Sequence, residues 1–391
     1  MIVMKFSELK IDQRILKALH EMRFIEMTAI QEKTIPPGLA GKDVIGEAMT
    51  GSGKTAAFGT PLIHGTSKGG GIQALVVLPT RELANQVGNE LKKFSKYVGL
   101  NTAIVYGGVG YEQQIMQIRQ AEIVVGTPGR LLDHMRQGAL RLGKVKILVL
   151  DEADRMLDMG FIDDIKQIIS QTPQNRQTML FSATMPDEIV RIARRYMREP
   201  VRITTERHIS KHLLKHIYYD VRRDEKLSLL SHLIEKEHPS LAIVFTATRR
   251  AADFVDRYLK SENIESMAIH GGHTQGARER ILEGFHRGKI HVLVATDVAA
   301  RGLDIKNVSH VFNYDIPKNA LDYTHRIGRT ARFGKTGKAI SLLCNEDHGP
   351  FRNIIRYISI EKGHLEDFKA KPVHMQRDRD QSHHAPRRWH R

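Results

Sequence analysis

Leu148-Val149-Leu150 runs directly into Asp151-Glu152-Ala153-Asp154. Three carboxylates within four residues repel one another, and burying them is costly unless a cation lies near. Such a cluster is either a solvated acidic turn or one wall of a cation-assisted site. A second stretch bears on the choice. Ala48-Met49-Thr50-Gly51-Ser52-Gly53-Lys54-Thr55 matches a phosphate-binding loop, with Ala48 where the general pattern has glycine. Gly51 and Gly53 let backbone N–H groups turn inward around phosphates. Lys54 adds a point charge at the β/γ-phosphates, and Thr55 offers a hydroxyl to Mg²⁺. A helix starting there adds the positive end of its dipole. With a nucleotide phosphate and a magnesium ion close by, the acidic cluster has a role. Asp151 suits the metal, usually through water, and Glu152 suits orienting and deprotonating the attacking water. Asp154 is expected to face elsewhere and bond a polar group across a cleft.

These residues need a frame. Short apolar runs alternate with longer amphipathic stretches: DVIGEA, ALVVLPT, TAIVYGG, EIVVGTP, VKILVLDEAD, TMLFSAT and VRITT in the first half. HIYYDV, LAIVFTAT, SMAIHGG, HVLVATD, HVFNYD and KAISLLC repeat the rhythm in the second. Strands apolar on both faces and separated by helices indicate an α/β fold with parallel sheets covered on both sides. Two domains follow, 1–205 and 215–365, joined by a polar, basic linker at 206–214. Residues 366–391 are rich in Arg and His and poor in aliphatics, which reads as a disordered basic tail. Nearly every polar cluster falls at the carboxyl end of an expected strand, where open α/β sheets bind ligands.

Composition narrows the class. The net charge of +16 and pI near 9.8 point to a polyanionic partner, usually nucleic acid. The single cysteine, Cys344, excludes an intramolecular disulfide and fits a reducing cytoplasm. The N-terminus lacks the apolar core of a signal peptide, and no apolar run approaches the roughly 20 residues needed to span a bilayer.

Taken in order, the motifs resemble those of the DEAD-box RNA helicases over almost all of 1–365. Phe6, 25 residues before Gln31 in RFIEMTAIQ, resembles the adenine-reading Q motif. PTREL (79–83), the Gly107-Gly108 pair and TPGR (127–130) resemble first-domain RNA contacts. SAT (182–184) resembles the coupling motif. VFTAT (244–248), QGAR (275–278), ATDVAARGLDI (295–305) and HRIGRTAR (325–332) complete the set. Arg23, Met27 and Ala331 depart from the family's usual Gly, Pro and Gly, which suggests a less rigid loop before Gln31 and a possible shift of Arg332.

The resemblance implies two RecA-like domains, ATP and Mg²⁺ as ligands, and RNA as partner. It implies that Gln31 reads adenine, and that Phe6 either stacks on the base or anchors the core. Thr50 to Thr55 cradle the phosphates and Asp304 contacts the ribose. Arg329 and Arg332 reach the γ-phosphate only when the domains close. Asp154, Ser182, Thr184 and His325 couple the domains, although His325 also fits a core histidine. Arg81, Gly108, Thr127, Arg130, Arg278 and Thr296 contact the sugar–phosphate backbone without reading sequence. The resulting expectation is a cytoplasmic, monomeric ATP-dependent RNA helicase acting by local, non-processive unwinding. An ATP-gated RNA clamp and a DNA translocase on the same core are the rivals. The tail, with Trp389, is expected to tether RNA.

Overall fold

A computed structural model describes residues 4–48, 51–205, 214–300, 308–330, 336–356, 358–365 and 368–371. The first sheet contains β1 (Val44–Glu47), β2 (Ala74–Val77), β3 (Thr102–Val105), β4 (Ile123–Gly126), β5 (Ile147–Leu150), β6 (Gln177–Ser182) and β7 (Val201–Thr204). The second contains β8 (Leu214–Asp220), β9 (Ala242–Thr246), β10 (Ser266–Ile269), β11 (Val292–Thr296), β12 (His310–Asn313), β13 (Gly337–Leu343) and β14 (Glu361–Lys362).

The first sheet runs β3-β4-β2-β5-β6-β1-β7 and the second β10-β11-β9-β12-β13-β8-β14. Adding seven to each label of the first order gives the second, so the chain carries one topology twice. All described strand pairs are parallel. Parallel neighbours require a crossover, and helices supply it on both faces. Alternate side chains therefore enter opposite cores: Val76 joins one, while Leu75 and Val77 join the other. In the second domain, Val244 and Ile243 divide the same way. The edges carry charge, with Arg202 exposed on β7 and both residues of β14 exposed, which discourages further strand pairing.

The two-residue β14 was not among the expected strands. The expected tail also begins inside packed structure. Phe368 rests against the second domain's core, and the Lys371 backbone N–H donates to Ser228 Oγ at 2.8 Å. Residues 372–391, with Trp389, lie outside the described residues. Among the described residues, no helix is long and apolar enough to cross a membrane.

Candidate active site and nucleic-acid interface

The carboxyl ends of β1 and β5 hold the charged centre. Gly53 takes a φ of 94° at the start of the helix Lys54–His64. A Cβ there would collide with the Gln31 amide, so both backbone angle and space require glycine. Lys54 is buried; its Nζ donates to the Ala48 carbonyl at 3.2 Å and lies 3.6 Å from Asp151 Oδ1. Burial pushes the Asp151 carboxyl up to about 6 against the pull of Lys54, and the neighbouring Glu152 adds to the rise. Glu152 itself sits in the left-handed region, with φ 52°, capping the helix Ala153–Asp158. Burial alone would raise its carboxyl. Arg155, whose Nη1 donates to Oε2 at 3.0 Å, outweighs that with Lys54 and Arg329, and holds Glu152 below the usual carboxylate range. Arg329 belongs to the second domain, so both domains shape the field at Glu152.

A magnesium ion fits these donors. Asp151 is a buried carboxyl whose ionisation one lysine does not fully support, which is the condition a cation relieves. Thr55 begins the adjoining helix beside Lys54. Among the described residues, no group of three or more His, Cys, Asp or Glu could hold a metal alone. Asp151 and Thr55 supply the one or two protein oxygens that a magnesium ion uses when phosphates complete its shell.

Gln31 is placed differently from a free base-reading amide. It is 2% exposed; its Oε1 accepts from the Thr28 N–H at 2.8 Å and its Nε2 donates to the Gly53 carbonyl at 3.0 Å. Thr28 Oγ1 donates to the Ser52 carbonyl at 2.8 Å. The Q motif is thus bonded directly to the phosphate loop at Ser52 and Gly53. Phe6 is 2% exposed and packs edge-on against Phe24 at 5.7 Å, the arrangement of a core anchor. A base stacking on it needs the N-terminal segment to shift.

Asp154 bonds within its own domain. Its Oδ2 accepts from the N–H and the hydroxyl of Thr184, each at 2.9 Å, and its own N–H donates to Ser182 Oγ at 3.1 Å. The end of β5 is so tied to the end of β6. His325 lies half-buried on the helix Ala320–Ile327 with Arg326, one turn before Arg329. Arg326 was not singled out from sequence, yet its bidentate pair with Asp297 at 2.6 and 2.7 Å fixes that helix. It also donates to the Asn313 side chain and the Asp315 carbonyl.

Local contacts link the neighbourhoods of the six residues expected to hold RNA. Thr80 caps the helix Arg81–Phe94, and Arg81 packs on the Gly107-Gly108 turn. Gly108 takes φ 85°, and a Cβ there would meet the Arg81 guanidinium. Arg130 Nη1 donates to the Val109 carbonyl at 3.3 Å, and the Thr127 N–H to the Val105 carbonyl at 3.0 Å. Next to Arg81, Glu82 pairs with Arg278 of the second domain at 2.7 Å. Arg278 Nη2 also reaches the Ala299 carbonyl at 3.5 Å, just past Thr296 at the end of β11. The second domain repeats the first domain's device: Thr248 caps the helix Arg249–Ser261, and Arg249 packs on Gly271. Its signal in the sequence is the threonine–arginine pair following a strand in both halves.

Comparison with known proteins agrees with this geometry. The DEAD/DEAH box helicase model matches residues 28–192, and the helicase conserved C-terminal domain model matches 225–334. The ATP-dependent RNA helicase CshA of Listeria monocytogenes is 50% identical over 351 residues, covering 89% of this chain and 68% of its own. The chain belongs to the DEAD-box ATP-dependent RNA helicases. Among solved structures, S. cerevisiae Dbp5 bound to RNA and ADP BeF3 matches this helicase with TM-score 0.83 at 32% identity, covering 92% of this chain and 95% of its own. A Dbp5 variant bound to Nup159, Gle1, IP6 and ADP gives TM-score 0.65 at 30% identity, covering 91% and 96%.

Thr50, Asp304, Arg332 and Ala331 lie outside the described residues. The other two family departures have physical accounts. Arg23 takes φ 62°, the left-handed conformation that explains why glycine is usual there. Met27 is 4% exposed and its N–H donates to the Met4 carbonyl at 2.9 Å, a bond proline lacks. The loop before Gln31 is tied down at Met27 rather than loosened.

Proposed function

We propose that this chain couples ATP hydrolysis to backbone binding of RNA and to local, non-processive duplex opening. The observation that supports it most is that the second domain reaches both first-domain sites, Arg329 at Glu152 and Arg278 at Glu82. Lys54 and the loop through Thr50, Gly51, Ser52 and Gly53 hold the phosphates. Gln31 keeps one amide hydrogen and one lone pair beyond its two bonds, enough for the adenine edge. Asp304 holds the ribose. Glu152, kept ionised by Arg155, orients the attacking water and accepts its proton. Arg329 and Arg332 stabilise charge on the transferring phosphoryl group once the domains close. Thr55 and Asp151 would hold a magnesium ion, which when bound would supply charge neutralisation at the phosphates.

His325 joins Asp154, Ser182 and Thr184 in transmitting closure to the strip of Arg81, Gly108, Thr127, Arg130, Arg278 and Thr296. ATP and RNA then favour the same closed state, and each promotes the other's binding. The two domains, 1–205 and 215–365, act as units about the linker 206–214. We place the protein in the cytoplasm as a monomer, with the basic tail as an RNA tether. Strand separation assayed beside ATPase tests the reading. RNA-stimulated turnover with unwinding of a short RNA duplex is expected. Stimulated turnover without unwinding favours the clamp, and equal stimulation by DNA favours the translocase.

A further inference from the structure

Two helix faces meet beneath the Gly107-Gly108 turn. The helix Tyr111–Gln120 presents Tyr111 and Gln114, and the helix Pro128–Arg136 presents Arg130 and His134. Spacings of three and four place each pair on one face. The Tyr111 and His134 rings stack with centroids 4.1 Å apart and planes 14° from parallel. The Arg130 guanidinium lies 5.6 Å from the Tyr111 ring centroid while donating to Val109. Gln114 Nε2 donates to the Tyr106 carbonyl at 2.8 Å. Its Oε1 must then accept from His134 Nε2, 2.9 Å away. That fixes the histidine proton on Nε2 and leaves Nδ1 bare.

Packing alone does not account for this cluster. His134 is 0% exposed and Gln114 2%. His134 Nδ1 and Tyr111 Oη are buried without hydrogen-bond partners. A leucine at 134 would fill space without stranding a polar atom. What the polar side chains add is a grip on a backbone carbonyl of the turn and on a neighbouring arginine.

We propose that Tyr111, Gln114 and His134 are positioning residues that lock the 106–109 turn and Arg130 into one unit for gripping the RNA backbone. The proposal rests on the reading of Gly108 and Arg130 as RNA contacts. None of the three touches RNA; they act through Arg130 and the turn. Two contacts held at fixed separation lose less freedom on binding than two that move independently.

The test is RNA-stimulated ATPase of the full chain, titrated with a single-stranded RNA oligonucleotide. Gln114→Ala should raise the half-saturating RNA concentration about tenfold, as slight misplacement of a positioned group does. Maximal turnover should fall less than about twofold, and half-saturating ATP should hold. Tyr111→Phe keeps the ring and should match wild type, whereas Tyr111→Ala should behave as Gln114→Ala. If Gln114→Ala does not fold, the Tyr111 pair makes the same comparison. Arg130→Ala separates the two ideas. Weakened RNA binding in Arg130→Ala, with Gln114→Ala and Tyr111→Ala unchanged, overturns the positioning proposal alone. An Arg130→Ala protein with normal RNA half-saturation overturns the contact reading beneath it. Equal rises in half-saturating ATP and RNA in Gln114→Ala mark a merely structural role and also overturn the proposal.

Discussion

Arg278 of the second domain and Glu82 of the first meet at 2.7 Å, with side chains only 13% and 10% exposed. Glu82 follows Arg81 directly, so a pair between domains sits beside a residue proposed above to hold the RNA backbone. Under the proposed function, closure and RNA grip share this charge. Glu82→Ala or Arg278→Ala should weaken the cooperative binding of RNA and a non-hydrolysable ATP analogue by roughly tenfold, within the range of coupled sites. The reversed pair, Glu82→Arg with Arg278→Glu, should recover part of it. Equilibrium binding of a labelled RNA with and without the analogue reads the coupling. No change in the single variants would remove the pair from closure.

Lys54→Ala and Glu152→Gln should fail in different ways. In the proposed site Lys54 holds ground-state phosphate, so its loss should raise the nucleotide dissociation constant. In the proposed mechanism Glu152 acts on water, so Glu152→Gln should bind ATP and RNA, barely turn over, and dissociate slowly from RNA. Stopped-flow RNA release measures this, and near-normal turnover in Glu152→Gln would take the base role from Glu152.

Arg329→Ala should cost about 10³-fold in turnover while nucleotide binding by the open protein holds, as for an arginine that domain closure brings to the transferring phosphoryl group. Arg332→Ala is expected to do the same. A loss under about tenfold in one of them would leave the other as the working arginine.

Arg23 supplies a stability prediction. A non-glycine residue in the left-handed region costs about 1–2 kcal/mol, part of which glycine's extra unfolded freedom offsets. Arg23→Gly should stabilise the chain by up to about 1 kcal/mol without changing half-saturating ATP. Thermal unfolding measures it, and a lower midpoint would show that the Arg23 side chain contributes more than its backbone costs.

Burial lowers His134, with Arg130 adding to the effect and Asp133 opposing it. Its folded pKa lies below the unfolded value near 6.5, so its contribution to stability is present above that pH and is lost as pH falls. His216 and His310, also lowered by burial, act in the same direction. Asp151, raised to about 6, acts oppositely, favouring the folded state as pH drops toward 3.8. The His134 part is isolated by difference: between pH 7.5 and 5.5, His134→Gln should lose less thermal stability than wild type. Parallel slopes would mean that His134 does not titrate in that window.

All seven strands of the first sheet were legible because each is an apolar run ended by a polar cluster. β14 was not, since Glu361 and Lys362 carry no apolar signal and pair only because β8 offers an edge. Lys54 and Asp151 were legible separately, as a phosphate-loop lysine and a metal-suited acid, while their direct pairing at 3.6 Å was not. The second use of Gln31 was not, because its bond to Gly53 spans 22 residues and depends on how two loops approach. Arg326 was hidden between His325 and Arg329, whose motif roles drew the reading, and only its fork on Asp297 shows that it braces them.

The duplicated topology extends to the threonine-capped arginine resting on a glycine turn, Arg81 in one half and Arg249 in the other. If the Arg249 device grips RNA as proposed for Arg81, a strand held by both is fastened at two matching cleats, and neither cleat need change shape during a cycle. In the proposed cycle, the angle between them is the moving part. Bending force on the strand is then a property of the joint, so weakening either cleat lets the strand slip, while altering the joint changes how far each stroke bends it.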